Sequence, residues 1–310
     1  MLTLKQLSYA LSVAEHLHFK RAAEACAVSQ SALSSAIQEL ESQIGFPLFE
    51  RDNKRVLLTS RGRDFLKRAQ SVLMDAQDLM NFAHAQSKPL SHPLSLGVIP
   101  TVGPFLLPKV LPLVRERFPK LQLRIKEAQS AQLVQLVRQG ELDTAVLALP
   151  YPLPGLHAFE FWEEDFYLVV HHDDASLRTL LDAAGGGVKA KALVPEKLLL
   201  LEEGHCLKDH ALAACRLRIS SVGNNALSST SLYTLIQMVA GRMGSTLVPE
   251  MALDQLLTED SELRAFHLDE PGPHRTLAFI TRLNFPGINS VALLRDCFRE
   301  ALGQSLRASL

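Results

Sequence analysis

Cysteine, tryptophan, long apolar runs and a surplus of either charge are all scarce in this 310-residue chain, and each scarcity excludes a class of protein. No apolar run approaches the roughly 18 residues that cross a bilayer. The opening MLTLKQLSYA has no basic region leading into an apolar stretch, so a cytoplasmic location and no membrane partner are expected. Four cysteines (Cys26, Cys206, Cys215 and Cys297) are too few for a disulfide scaffold. In a reducing compartment any disulfide among them is expected to be a redox device. A net charge of −1 argues against a general polyanion binder. The chain also lacks a glycine-rich phosphate loop, a G-x-S-x-G elbow and a paired-carboxylate site. No cofactor, no metal and no enzymatic activity are expected.

What is present is a packed protein of two or three domains, with 47% apolar and 21% charged residues. The near-zero net charge hides a contrast. Residues 1–90 hold 11 basic against 9 acidic residues, and in 51–68 Arg51, Lys54, Arg55, Arg61, Arg63, Lys67 and Arg68 face only Asp52 and Asp64. That stretch is either a solvated helix face or the electrostatic footprint of a nucleic-acid partner.

Residues 1–58 read as short helices and a hairpin. Thr3 and Gln6 form a T-x-x-Q capping box ahead of Leu7, Leu11 and Ala14. A second helix is predicted over Lys20–Cys26 and a third from Ser29, with Leu33, Ala36, Ile37, Leu40 and Ile44 on one face and Gly45 as its stop. Phe46–Leu58, with its charged turn at 52–55, predicts a hairpin. Three helices and a basic hairpin make a winged helix-turn-helix. From Thr59-Ser60 a helix of about 26 residues reaches Gln86, with Phe65, Leu66, Ala69, Val72, Leu73, Ala76, Leu79, Met80 and Ala83 on one stripe. Such a stripe, apart from any other core, needs a partner helix, so 59–88 is read as a linker and dimerisation arm. Ser87-Lys88-Pro89 and His92-Pro93 look like the linker's end.

From residue 89 onward strands and helices alternate. Strands are predicted at Leu94–Ile99, Leu121–Glu127, Thr144–Leu149, Phe166–His171, Lys197–Leu201, Thr246–Val248 and Thr276–Ile280. Helices are predicted near Pro104–Arg117, Ala131–Gln139, Leu207–Cys215, Ser231–Gly241 and Asn289–Ala301. This is an α/β domain with a parallel sheet and a cleft expected near Pro100-Thr101 and Gln129-Ser130.

Phe19-Lys20-Arg21-Ala22-Ala23-Glu24, Val28-Ser29-Gln30-Ser31-Ala32-Leu33-Ser34, Leu48-Phe49-Glu50-Arg51 and Leu58-Thr59-Ser60-Arg61-Gly62 resemble the DNA-binding domain of LysR-type transcriptional regulators. Ser31 stands where the family often has proline. The 98–129 stretch from Val98-Ile99-Pro100-Thr101 to Glu127-Ala128-Gln129, and above all Glu202-Glu203-Gly204-His205-Cys206-Leu207-Lys208-Asp209 with Cys215, resemble the peroxide-sensing branch of that family. Thr230-Ser231-Leu232 and Arg275-Thr276 match as well, while Ser130, Lys208 and a longer loop over 178–195 depart from it. The resemblance implies an α+β multidomain regulator: a winged helix-turn-helix, a dimerisation helix and a periplasmic-binding-protein-like domain of two subdomains. It implies promoter DNA, hydrogen peroxide and RNA polymerase as partners, a homodimer or homotetramer, and a role in oxidative stress.

Ser29 is placed to cap the third helix, leaving Gln30, Ser31 and Ser34 at the end that enters a major groove. Gln pairs bidentately with adenine, while Arg51, Lys54 and Arg55 on the wing suit phosphate. In the redox half, the resemblance implies Cys206 as the peroxidatic and Cys215 as the resolving cysteine, with Thr101, Ser130, His205, Lys208, Asp209 and Arg275 around them. Cys206 opens a predicted helix beside His205 and Lys208, a setting that stabilises a thiolate. Cys215 lies nine residues on, a helical rise of about 13.5 Å, whereas a disulfide needs Cα atoms within about 7 Å. The intervening helix must therefore unwind before a bond closes.

Other readings stay open. Cys26 and Cys297 on apolar faces read as inert. Cys206, His210 and Cys215 could hold a metal, and His171-His172-Asp173-Asp174 reads as solvated. Thr101 and Ser130 could cap helices. The protein could also be gated by a small organic inducer in the cleft, or be a thiol peroxidase, which the helix-turn-helix speaks against.

Overall fold

The computed structural model describes residues 1–52, 55–85, 90–174, 187–217, 229–258 and 261–308, with backbone alone at 51, 52, 55, 77, 78, 81–85 and 304–308. Its contacts divide into two compact units, Met1–Gln86 and Ser87–Leu310.

In the first unit the caps are where the sequence puts them. Thr3 Oγ1 accepts the Gln6 N–H at 3.2 Å and Gln6 Oε1 accepts the Thr3 N–H at 3.0 Å, which opens α1 (Leu4–His16). α2 (Phe19–Ala25) starts under the His18 ring, which accepts the Arg21 N–H. α3 (Gln30–Ile44) is capped by Ser29 and ends at Gly45, whose φ of 78° favours glycine. β1 (Phe49–Asp52) and β2 (Arg55–Leu58) pair antiparallel as the wing. The Glu41 carboxylate accepts the Leu48 and Phe49 N–H groups at 2.7 and 3.1 Å, which ties the wing to α3. Thr59 Oγ1 then accepts the Gly62 N–H at 2.8 Å and starts α4 (Ser60–Ala85).

Leu7, Ala10, Val13, Ala22, Leu33, Ile37 and Leu40 form this unit's core. Contrary to the expectation that the 59–86 stripe has no core of its own, Leu66 and Ala69 of α4 are buried in it and Phe65 and Leu73 pack against it. The stripe divides: its start completes the winged helix-turn-helix, while Val72, Leu79 and Met80 are exposed at 46%, 68% and 56%. The Ser87-Lys88-Pro89 linker and Lys54 lie outside the described residues.

The second unit runs β3 (Leu94–Val98), α5 (Gly103–Arg117), β4 (Leu123–Glu127), α6 (Ser130–Arg138), β5 (Thr144–Leu149), β6 (Leu156–Glu164), β7 (Phe166–His171), β8 (Gly187–Val188), α7 (Cys206–Ala214), α8 (Leu232–Ala240), β9 (Thr246–Pro249), α9 (Leu253–Leu256), β10 (Leu263–Leu268), β11 (Arg275–Arg282) and α10 (Ile288–Ala308). There are two sheets, ordered β4-β3-β5-β11-β6 and β8-β10-β7-β9. The expected parallel sheet is corrected to a mixed one. β3 pairs parallel with β4 and β5, but β11 runs antiparallel to both β5 and β6. The reason is topological: the chain leaves the first sheet at Asp165, builds the second, and re-enters through 269–274, so β11 arrives reversed. These two crossovers give two subdomains. The strand predicted at Lys197–Leu201 is a 3₁₀ turn (Pro195–Lys197) followed by single bridges, Leu198 to Ser245 and Leu201 to Ser229. A short apolar run does not distinguish a strand from another buried segment.

Candidate functional site

At the N-terminus of α3, Ser29, Gln30 and Ser31 are exposed while Leu33, Ile37 and Leu40 turn inward. Ser29 Oγ accepts the Ala32 N–H at 3.2 Å and lies 3.1 Å from Ser31 Oγ, so both hydroxyls are engaged locally and the Gln30 amide is the longer reach into solvent. Ser34 is half-buried. Arg61, Arg63, Lys67 and Arg68 are exposed on α4, and the side chains of Arg51 and Arg55 lie outside the described residues.

The second site is built around Cys206, the first residue of α7. Gly204 precedes it at φ 95°, a left-handed conformation that favours glycine, with the Gln129 amide at the start of α6 close against it. Cys206 is 4% exposed. Burial pushes its thiol up, while the Ser130 hydroxyl, the Arg275 charge and the Ala148 backbone favour the ionised sulfur and Asp209 opposes it. The setting expected to stabilise a thiolate is thus opposed by desolvation, the largest influence on this thiol. The cation that acts on it is Arg275. Lys208 is half-exposed, points into no described hydrogen bond or ion pair, and is not among the charges felt by Cys206.

Arg275 opens β11 and is fully buried. Its Nε donates to Glu164 Oε1 at 2.7 Å, its Nη1 to Thr101 Oγ1 at 3.2 Å and its Nη2 to Thr101 O at 3.3 Å, while Nη2 also stands 2.6 Å from Glu164 Oε1 as an ion pair. One Nη1–H is left over among the described residues. Thr101 uses its oxygen to accept from Arg275 and caps no helix, since the N-cap of α5 is Val102 and makes no side-chain bond. Ser130 also caps nothing. Its Oγ is buried and bonded to no nitrogen or oxygen atom. His205 is buried, its imidazole pushed down by desolvation against Glu202, and it lines a cleft of about 340 Å³ with Pro100, Thr101, Gln129 and Tyr233. The cleft stands where the strand ends predicted it.

Sequence reading missed three neighbours: Glu164, Tyr151 and the inward role of His210. His210 Nε2 donates to Pro150 O at 3.1 Å, which leaves Nδ1 a buried acceptor without a partner, and burial pushes this imidazole down. Desolvation, with Cys206 and Asp209 behind it, pushes the Tyr151 phenol up. No local pattern marks Glu164, because its partner Arg275 is 111 residues away.

Cys215 sits at the other end of α7 as its C-cap, buried, with its thiol pushed up to about 12 by desolvation. All four cysteines are free. Cys206 and Cys215 at opposite ends of a helix cannot share an ion, which removes the Cys206–His210–Cys215 metal reading. Cys26 is half-buried at the end of α2, and Cys297 is buried with Arg117 Nη1 4.0 Å from its sulfur.

His171, His172 and Glu262 are gathered closely enough to suggest a cation site. The His171 ring rules against it. Its Nδ1 accepts the Asp173 N–H at 3.1 Å, so Nε2 carries the proton that is given to Glu262 Oε2 at 3.1 Å. Metal on Nε2 would leave the ring with no proton at all.

Residues 4–63 match the bacterial regulatory helix-turn-helix protein of the lysR family, and residues 87–303 match the LysR substrate binding domain. The chain is 42% identical over 300 residues to the HTH-type transcriptional regulator EstR of Acinetobacter baylyi, covering 96% of each. It is 34% identical over 313 residues to the DNA-binding transcriptional dual regulator OxyR of Escherichia coli, covering 100% of this chain and 96% of that one. A solved full-length OxyR cysteine-to-aspartate variant from Pseudomonas aeruginosa superposes with a TM-score of 0.76 at 32% identity, covering 96% of this chain and 95% of that one. A peroxide-bound OxyR cysteine-to-serine variant from Corynebacterium glutamicum gives 0.67 at 32% identity, covering 99% and 95%. The two family matches and these relatives, spread over both units, place the chain in the LysR family of DNA-binding transcriptional regulators and outside the enzymes.

Proposed function

We propose that the chain senses hydrogen peroxide through Cys206 and regulates transcription by closing a disulfide with Cys215. The observation that carries this reading is the set of donors around a buried thiol: the Ser130 hydroxyl, which faces the sulfur and is bonded to no nitrogen or oxygen atom, the Thr101 hydroxyl hydrogen and one Nη1–H of Arg275. A small neutral molecule with two oxygens suits such a set. Once the proton has left, the sulfur attacks one peroxide oxygen; the S–O bond forms, the O–O bond breaks, sulfur is oxidised and hydroxide leaves. Donors held where that negative charge develops lower the barrier. The Cys206 sulfenic acid then condenses with the Cys215 thiol, forming S–S and releasing water. That step requires α7 to unwind, since its ends stand about 13.5 Å apart in rise.

Free thiols counted before and after one equivalent of peroxide, with peptide mapping by mass spectrometry, test this. Loss of two thiols and a Cys206–Cys215 peptide is expected. A transcriptional response with all four thiols still free would overturn the reading. It would favour the alternative suggested by the 340 Å³ cleft, lined by Gln129, His205 and Tyr233, namely a small organic inducer.

On DNA, the same proposal gives Gln30, Ser31 and Ser34 to the major groove and Arg51, Lys54 and Arg55 to the wing's phosphate contacts. Gln30→Ala should weaken the cognate site more than random DNA, because only base contacts carry sequence information. Arg51→Ala should weaken both alike and flatten the salt slope by about one unit. Binding titrations over a salt series check both, and equal losses from the two substitutions would show that α3 reads no bases.

A further inference from the structure

Arg275 does not stand free beside the thiol. Its charge is shared. Glu164, at the end of β6, meets the Arg275 Nε by a hydrogen bond and the Nη2 by an ion-pair contact on one oxygen, and is itself fully buried. The other Glu164 oxygen accepts the Met251 N–H at 3.1 Å, from the turn after β9 in the second sheet's subdomain. Glu164 is thus bonded to both subdomains at once, and shares the Nη2 of Arg275 with Thr101 O.

We propose that Glu164 is a positioning residue for Cys206: it holds Arg275 through Nε and an ion-pair contact at Nη2, keeps Nη1 and Nη2 directed to Thr101, and retains charge that the sulfur would otherwise draw. The inference rests on Cys206 as the peroxide-reactive thiol. A buried cation stripped of its carboxylate is costly, and the protein relieves that cost by ionising whichever nearby acid can supply an anion. Around the guanidinium that acid is Cys206, whose ionised form Arg275 already favours. The other groups are placed differently. Asp209 is exposed, His205 and His210 are neutral bases, and Tyr151 is a weaker acid than a thiol. Behind Glu164, Asp165 is engaged by His267 at 3.0 Å, and burial with Glu164 and Asp165 pushes the Glu250 carboxyl up. His274 is committed to the Phe166 N–H at 2.9 Å. The ion pair therefore limits how far Arg275 offsets the reluctance that burial imposes on the thiol. Movement of the second subdomain would act on the sulfur through Met251 and Glu164.

The test is a titration of thiolate ultraviolet absorbance in the full chain, read as the difference between each protein and its Cys206→Ser counterpart. Glu164→Gln keeps an acceptor for Arg275 and removes the charge. Its Cys206 midpoint should fall by at least one pH unit below the wild type, which is a tenfold larger thiolate fraction at neutral pH. An equal or higher midpoint in a folded variant overturns the proposal. Should that variant fail to fold, the Glu164→Gln/Arg275→Gln pair replaces two buried charges by a neutral hydrogen-bonding pair, a change buried ion pairs commonly tolerate. There the rise above wild type should be smaller than in Arg275→Gln alone, and an equal rise overturns the proposal. No peroxide enters the titration. A shifted midpoint in a protein whose Cys206 resists peroxide would count against the sensor reading while upholding Glu164's hold on the thiol.

Discussion

Cys206→Ser should abolish the peroxide response and leave binding of the reduced protein to DNA intact. The substitution removes the nucleophile and little else. Serine is close to cysteine in size, its position at the start of α7 asks nothing of the side chain as a cap, and the winged helix-turn-helix core contains no residue of this subdomain. The loss should be complete, because burial raises Cys206, Cys215 and Cys297 alike but only Cys206 of the three has the Ser130 hydroxyl and the Arg275 charge to favour its ionised form. Cys215→Ser should separate the steps. Sulfenic acid should still form at Cys206 and should persist, since the thiol that condenses with it is gone. Reporter transcription and a sulfenic-acid probe on both variants check the pair. Wild-type induction in Cys206→Ser sinks the sensor reading, and loss of the first oxidation in Cys215→Ser would show the two roles reversed.

On the proposed disulfide, the response is a switch. Both thiols are buried at opposite ends of one short helix, and His210 between them is bonded to Pro150 with its other nitrogen unsatisfied. A disulfide cannot close by a local rotamer change. It has to release a buried helix, and the unpartnered Nδ1 means that the release forfeits one hydrogen bond of this ring rather than two. Packed interiors respond to such a change by moving between discrete arrangements.

How much of this was legible follows from the range of each interaction. The caps at Thr3 and Ser29 and the stop at Gly45 are local chemistry, readable within four residues, and the structure has them. β6 and β10 escaped because their exposed faces carry His157, Glu160, Arg264 and His267 in no clean alternation. The reversal of β11 is set by where the chain re-enters a sheet, which no window of sequence records. At the thiol, sequence reading supplied a cation from Lys208 because it is two residues away. The structure supplies it from Arg275, 69 positions along the chain from Cys206. Local sequence also offered a helix start that favours the ionised sulfur, whereas the burial that opposes it is a property of the whole subdomain.

The largest effect expected away from the thiol is on α4. Leu79→Glu should leave the first unit folded and strip the protein of tight operator binding. Leu79 is 68% exposed, and with Val72 and Met80 it continues the apolar stripe beyond the part that Leu66 and Ala69 bury in their own core. A second copy of the helix is the natural cover for it. Leu73, by contrast, already packs against that core, so Leu73→Glu would mix a folding defect with an assembly defect. Full burial of a leucine contributes about 1.5–3 kcal/mol, and a carboxylate forced into the same contact opposes it. Both copies carry the substitution, so the pair loses the contribution twice. Two half-site contacts that are no longer tethered lose the roughly 10²–10⁴-fold avidity of a linked pair. Operator affinity should therefore fall by at least tenfold although no residue facing DNA has changed, while thermal unfolding of the first unit stays within about 0.5 kcal/mol, the range of surface substitutions. Sedimentation and a binding titration decide it: an unchanged dimer with unchanged affinity would mean that the second unit, not α4, holds two copies together.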